Sequence, residues 1–185
     1  GGHCALLYLP RNCNLASQYH ELKNAPRGRS KRRNHAVIKK IDLENHFYDI
    51  SSVEALQARK PGDYPYYTKE DNTIHWVKGV SMCQDKFSFS LLDFAEKRLR
   101  SMDELGIEKA VLSLAPGVDT LPPSESIPAC RKANEALHRV VEQYPDRFWG
   151  SAILPILDTE ESVRELERCV KEFGFVMWQT HSNYG

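Results

Sequence analysis

The sequence lacks the features that mark membrane-embedded and disulfide-stabilised proteins. None of its apolar runs approaches the roughly 20 residues that a transmembrane helix needs, and the run at residues 4–9 is too short, and lacks the preceding basic segment, for a secretory signal. The five cysteines are scattered, odd in number and without a CxxC pair. We therefore expect free thiols in a reducing, cytoplasmic environment, with no membrane partner.

The sequence also has no overall excess of charge of either sign. Its 25 Lys and Arg residues balance 25 Asp and Glu residues over 185 positions, so the whole chain has no electrostatic preference for nucleic acid or an anionic membrane. Basic residues are concentrated near the start, most densely at Arg27–Arg33. We predict that residues 1–36 form a disordered basic segment. A nucleic-acid partner is not favoured, because no aromatic residues alternate with these basic ones.

What the sequence does contain, from residue 37 to residue 185, is an alternation of apolar strands and amphipathic helices. Strands are predicted at 37–46, 109–115, 148–154 and 175–180, and helices at 90–105, at 129–144 and from Asp158 or Thr159 onward. Such alternation indicates right-handed βαβ units and a parallel sheet. The interval 47–86 is predicted to be a long connection. Its aromatic stretch at 60–67 is either the wall of a pocket or a packed surface excursion.

Two groups that can bind a metal ion occur at the end of the first strand. Glu44 and His46 are two positions apart, so on a strand they point to the same side. Since parallel strands end on one face of the sheet, His181 after the fourth strand is predicted to lie on that face too. Carboxylate and imidazole together suit Zn, Mn, Fe or Co. For Glu44 and His46 alone, a solvated strand end is the favoured interpretation, because Glu-x-His often occurs by chance, and only the strand-end location of His181 favours a common site.

Several short pieces of the sequence, in this order and spacing, resemble the amidohydrolase-related family. The resemblance is to its branch of metal-dependent hydroxybenzoate-type decarboxylases, which are related to aminocarboxymuconate semialdehyde decarboxylase. It extends from about residue 37 to residue 185. The pieces that carry it are Ile41–Phe47, Met102–Ile107 followed by Ala110–Ser113, Ala133–Glu135, Tyr144–Phe148 and Thr180–Asn183.

The resemblance implies an α/β fold, namely the first four β/α units of a (β/α)8 TIM barrel in residues 37–185. It implies that Glu44, His46 and His181 are ligands of a divalent metal ion, with Zn or Mn as the first expectation. The implied function is decarboxylation of a small aromatic or unsaturated carboxylic acid, and some members of the family are hydrolases instead. The family's catalytic histidine on the following strand, and its metal-binding aspartate from the last strand, have no counterpart in this sequence.

Two interpretations of this half-barrel remain open at the level of sequence. In one, the chain is a truncated form of a barrel enzyme and carries part of its metal site. In the other, it is a non-catalytic interaction protein that docks on a full-length relative or forms a homo-oligomer. Unpaired sheet edges favour the second interpretation, because such edges promote association.

Overall fold

The structure, a computed structural model, describes residues 39–83, 91–93 and 95–180. The predictions made for residues 1–36 and for His181 therefore lie outside the described residues. Within the described ranges, the helices and strands are, in chain order, β1 (Lys40–Phe47), α1 (Ile50–Gln57), β2 (Tyr66–Thr68), β3 (Thr73–Val77), β4 (Val80–Cys83), α2 (Glu96–Leu105), β5 (Ile107–Leu114), a 3₁₀ turn (Val118–Thr120), α3 (Pro123–Gln143), β6 (Phe148–Ala152), α4 (Thr159–Lys171) and β7 (Met177–Trp178).

The main sheet confirms the predicted α/β class. Its four strands are parallel and lie in the order β1-β5-β6-β7, so each strand pairs with the one that precedes it in the βα series. A sequential parallel order of this kind curls toward a barrel, whereas a doubly wound sheet reverses its strand order. The carboxyl ends of all four strands consequently lie on one face.

The fourth strand is shorter than the predicted 175–180. The backbone N–H of Phe175 donates to the carbonyl of Cys169 at the end of α4 (3.0 Å), so this residue still belongs to the helix terminus and not to the ladder. Met177 and Trp178 form the ladder with β6, and just before them the N–H of Val176 donates to the Gly150 carbonyl (3.0 Å). Helix termination and strand pairing therefore compete for the same few residues, and the strand is reduced to two.

The interval 47–86 contains more regular structure than the predicted connection. It holds helix α1 and a three-stranded antiparallel sheet in the order β2-β3-β4. The indole N–H of Trp76 donates to the carbonyl of Pro116 (3.0 Å), and the Tyr48 hydroxyl donates to the same oxygen (3.3 Å). Because Trp76 lies on β3 and Pro116 follows β5, the Trp76 bond holds the small sheet to the face where the parallel strands end, while Tyr48 connects the segment after β1 to the same carbonyl.

The core lies between the parallel sheet and the helices that cover it. Its largest fully buried side chains include Phe47 on β1, Leu112 on β5, Phe148 on β6 and Leu137 on α3. Burying each of these stabilises the fold by about 1.5–3 kcal/mol relative to leaving it exposed. In the described part of the chain, no helix has both the length and the apolar character needed to cross a membrane.

Helix α4 begins at a capping carboxylate, as the sequence indicated. Asp158 accepts a hydrogen bond from the backbone N–H of Glu161 (3.0 Å), which selects it over Thr159 as the N-cap. We expect Asp158→Ala to lower the free energy of unfolding by about 1 kcal/mol, because the cap satisfies an otherwise unpaired N–H. Denaturant unfolding should show this loss, with the exposed Asp146→Ala changing stability by less than about 0.5 kcal/mol. Equal effects of the two substitutions would contradict the capping role.

Candidate metal centre

The structure brings Glu44 and His46 together at the end of β1. Glu44 Oε1 lies 3.5 Å from His46 Nε2. The ladder between β1 and β5 is irregular here, because Asp42 pairs with Ala110 whereas Asn45 pairs with Leu112. This two-against-one mismatch is a β-bulge, a feature that re-aims side chains next to active sites.

A carboxylate inside the strand stabilises this bulge. Asp42 accepts a hydrogen bond from the backbone N–H of Glu44 (3.1 Å) through Oδ1 and one from Asn45 Nδ2 (2.7 Å) through Oδ2. These two bonds fix the backbone from which the Glu44 side chain projects. Asp42 therefore helps to determine where the Glu44 carboxylate lies.

The spacing of the Glu44–His46 pair suits two ligands of one metal ion. Metal–nitrogen and metal–oxygen bonds of about 2.0–2.2 Å in tetrahedral geometry place two ligand atoms roughly 3.4 Å apart. The observed separation is 3.5 Å, so a shared cation requires almost no movement of either side chain. The His46 ring nitrogen on the other side, Nδ1, is buried and has no hydrogen-bond partner among the described residues. The donor set thus fits a divalent ion, with neutral imidazole and carboxylate as its ligands.

A cleft of about 350 Å³ lies beside this pair and is lined by residues of β1 and α2. From α2, Arg98 Nη2 donates a hydrogen bond to the carbonyl oxygen of His46 (2.8 Å). Burial lowers the pKa of Arg98, while the negative charges of Asp93 and Asp42 act in the opposite direction. An arginine remains protonated after such a shift, so its charge supports the backbone at His46.

The carboxyl end of β7 also reaches this site. Gln179 follows β7 directly, and its Nε2 donates to Glu44 Oε1 at 3.3 Å across a separation of 135 residues. Sequence reasoning missed both Gln179 and Arg98. In the sequence, Arg98 stands out as a charged residue on the apolar side of helix α2, which was a signal for a buried role. Nothing in the sequence indicated that its partner is the carbonyl of His46.

The third predicted ligand, His181, lies outside the described residues, two positions beyond Gln179. Among the residues that the structure describes, no group of three or more His, Cys, Asp or Glu side chains is arranged to hold a metal ion. Glu44 and His46 are therefore two members of a predicted set whose third member has not been placed.

The aromatic stretch, for which a pocket wall and a packed surface excursion were both open, forms part of the small antiparallel sheet. Tyr66 stacks on His75 with ring centroids 4.5 Å apart, and the Tyr67 hydroxyl donates to Asn72 Oδ1 (2.7 Å). These contacts engage both rings within their own sheet. A role for residues 64–67 in covering a pocket remains a prediction.

Among the described residues, Cys130 and Cys169 are buried free thiols. Burial raises the pKa of Cys130, and the charges of Asp119 and Glu165 add to this effect. Burial, followed by the charge of Glu165, raises the pKa of Cys169 to about 12. Both residues stay protonated at neutral pH, and a protonated thiol is a poor nucleophile. Neither is a candidate catalytic group.

Taken together, these features are those of a β/α-barrel protein whose polar side chains gather where the parallel strands end. The model of the amidohydrolase family matches residues 41–185. The chain therefore belongs to the amidohydrolase family, as the resemblance implied.

Individual relatives agree with this assignment. The chain is 37% identical over 139 residues to gamma-resorcylate decarboxylase of Rhodococcus jostii, a match that covers 74% of this chain and 36% of the relative. The crystal structure of 2,6-dihydroxybenzoate decarboxylase from Rhizobium superposes with a TM-score of 0.57 at 35% identity, covering 76% of this chain and 37% of that one.

A third similar protein was solved with a bound metal ion. The dihydroxybenzoic acid decarboxylase of Polaromonas, which contains manganese and the inhibitor 2-nitroresorcinol, superposes with a TM-score of 0.55 at 35% identity, covering 76% of this chain and 37% of that one. The chain thus spans a little over a third of the length of each of these three proteins.

Proposed function

We propose that this chain carries part of the metal centre of a decarboxylase that acts on a small aromatic carboxylic acid. Glu44, His46 and His181 are the proposed ligands of a divalent cation, with Mn²⁺ first and Zn²⁺ second. The observation that supports this most strongly is the 3.5 Å separation between Glu44 Oε1 and His46 Nε2 at the end of a parallel strand. The manganese in the similar Polaromonas protein favours Mn²⁺.

The substrate class is suggested by the similar proteins. Their names refer to resorcylate and dihydroxybenzoate, which are aromatic rings carrying a carboxylate beside a hydroxyl. A bound divalent ion supplies a Lewis acid that polarises a carboxylate or a phenol. Hydrolysis by a relative of the same family remains the alternative reaction, and release of carbon dioxide from 2,6-dihydroxybenzoate would distinguish the two.

This chain's own residues would serve to hold and orient the ion. Asp42 fixes the bulge from which Glu44 projects, and Arg98 fixes the carbonyl of His46. Residues that support metal ligands in this way typically change metal affinity by about 10–100-fold when they are replaced.

Titration of the chain with Mn²⁺ by calorimetry tests the proposed ligands. We expect Glu44→Gln and His181→Ala each to weaken Mn²⁺ binding by at least about 100-fold, because each removes a ligand and not merely a supporting contact. The matched controls are Glu104→Gln, an exposed carboxylate on α2, and His138→Ala, a half-buried imidazole on α3. Both should retain the affinity of the unmodified chain. Unchanged affinity in Glu44→Gln would remove Glu44 from the site, and unchanged affinity in His181→Ala would remove His181.

The second candidate function is that of a half-barrel that associates with another chain. Exposed apolar side chains on the two edge strands favour this function. Ile41 and Leu43 on β1 are 49% and 63% exposed, and Trp178 on β7 is 44% exposed. Apolar side chains on unpaired edges are a known route to association.

Light scattering with size exclusion tests this candidate. A homo-oligomer that dissociates when Leu43→Lys places a charge on the edge would support association through β1. Ile50→Lys, at an exposed apolar position on α1, is the matched control and should leave the mass unchanged. If the chain is monomeric at high protein concentration, self-association is ruled out.

A further inference from the structure

Gln179 makes a contact that connects the two edge strands of the parallel sheet. It follows β7, the last strand, and its Nε2 donates to Oε1 of Glu44 on β1, the first strand. The carbonyl end of the same amide, Oε1, is buried and has no hydrogen-bond partner within the described part of the chain. The amide therefore has one end bonded to a proposed metal ligand and the other directed into the protein.

Gln179 also lines a small polar cavity. The cavity has a volume of about 20 Å³, and its lining includes Gln179, Ser113 on β5 and Ser151 on β6. The two serines are 2% and 0% exposed, and the Oγ atom of each lacks a hydrogen-bond partner among the described residues. A polar cavity of this size accommodates one water-sized group, and buried polar atoms are normally paired.

These surroundings determine which way the amide points. A carboxylate such as Glu44 only accepts hydrogen bonds, so it must face the NH₂ end. The carbonyl end must then point the other way, and a water-sized group in the cavity could connect it to the unpartnered hydroxyls of Ser113 and Ser151. Reversing the amide would place an oxygen against the carboxylate. Both ends thus favour the same orientation.

We propose that Gln179 is a positioning residue of the metal centre, which holds the Glu44 carboxylate in the orientation that binds the cation. Glu44 needs such support because its side chain is 70% exposed, and an exposed carboxylate samples many rotamers. The hydrogen bond takes one of the acceptor sites on Oε1 and leaves the remaining carboxylate acceptors to the ion. This inference rests on the proposed function, since it assumes that Glu44 is a ligand.

Calorimetric titration with Mn²⁺ also tests Gln179. We expect Gln179→Met, which keeps the length and removes the amide, to weaken Mn²⁺ binding by about 10–100-fold. Gln179→Asn keeps the amide on a shorter stem and should also weaken binding, but no more than Gln179→Met. The thermal unfolding of both variants without metal should match that of the unmodified chain, whereas a merely structural role would lower it and leave the affinity unchanged.

A double substitution shows whether the effect passes through Glu44. In Glu44→Asp the carboxylate is withdrawn from the amide, so adding Gln179→Met should change affinity by less than about twofold. An equal loss in both backgrounds, or wild-type affinity in Gln179→Met, would overturn the inference. If Gln179→Met binds normally while Glu44→Gln does not, only the positioning role fails. If Glu44→Gln also binds normally, the proposed metal site itself is wrong.

Discussion

Gly150→Ala is expected to lower the free energy of unfolding by about 3 kcal/mol, at the upper end of the range for overpacked sites. A Cβ atom at position 150 would lie 2.4 Å from both Cδ1 and Cε1 of Phe175. Phe175 is only 3% exposed and cannot retreat without leaving the core. The carbonyl of Gly150 also accepts a hydrogen bond from the N–H of Val176 (3.0 Å), which holds the two segments together.

Denaturant unfolding with a rescue variant tests this close approach. Gly150→Ala combined with Phe175→Leu should be more stable than Gly150→Ala alone, because the smaller side chain relieves the overlap. The control is Gly62→Ala, where φ is +100° but nothing lies within 4 Å of the added Cβ. That substitution should cost about 1–2 kcal/mol from backbone strain alone. If Gly150→Ala proves as stable as the unmodified chain, the packing of Phe175 on β6 is wrong.

Asn134→Leu is expected to lower the free energy of unfolding by about 3–5 kcal/mol, because it leaves both backbone groups of Ile153 unpaired and removes one partner of the buried Glu165 carboxylate. Asn134 is fully buried on α3, and its amide donates to the carbonyl of Ile153 (2.9 Å) and accepts from the N–H of the same residue (2.9 Å). It also donates to Glu165 Oε1 (2.7 Å), a carboxylate that is 2% exposed. Arg168 forms an ion pair with that carboxylate at 2.6 Å.

A double-mutant cycle separates these contributions. Glu165→Gln should cost less than Asn134→Leu, because the amide still offers an oxygen to both neighbours. Combining Asn134→Leu with Glu165→Met should destabilise the chain by less than the sum of the two single effects, with a coupling of about 0.5–3 kcal/mol. Gln143→Leu, an exposed position near the end of the same helix, is the control and should be nearly neutral. Strict additivity would show that the two residues do not interact.

Much of the parallel sheet could be predicted from the sequence, because segments rich in apolar residues alternate with amphipathic helices, and Gly or Pro ends several of these elements. The alternation with amphipathic helices then determined both the sheet type and the face on which Glu44 and His46 lie. The bulge at Leu43–Glu44 was not predictable, since it depends on the register of β1 against β5. Strand periodicity predicted that Glu44 and His46 lie on the same side, but not the bulge that helps to direct the Glu44 side chain.

The antiparallel sheet was missed for a different reason. Its strands are three to five residues long, which is too short for a reliable period. Its location depends on a bond from Trp76 to a carbonyl 40 positions away. Gln179 was missed because its partner is 135 positions distant, and only the curl of the sheet brings the two together. Contacts of this kind leave no local signal.

The most direct test of the account is a crystal structure of this chain grown with Mn²⁺, with anomalous scattering measured at the manganese edge. We expect one strong peak within about 2.0–2.2 Å of a Glu44 carboxylate oxygen and of His46 Nε2, as for other ligands of these types. The Gln179 amide should still contact Glu44 in that structure. Manganese bound elsewhere, or a Glu44–His46 pair with no peak between them at a saturating concentration of metal, would contradict it.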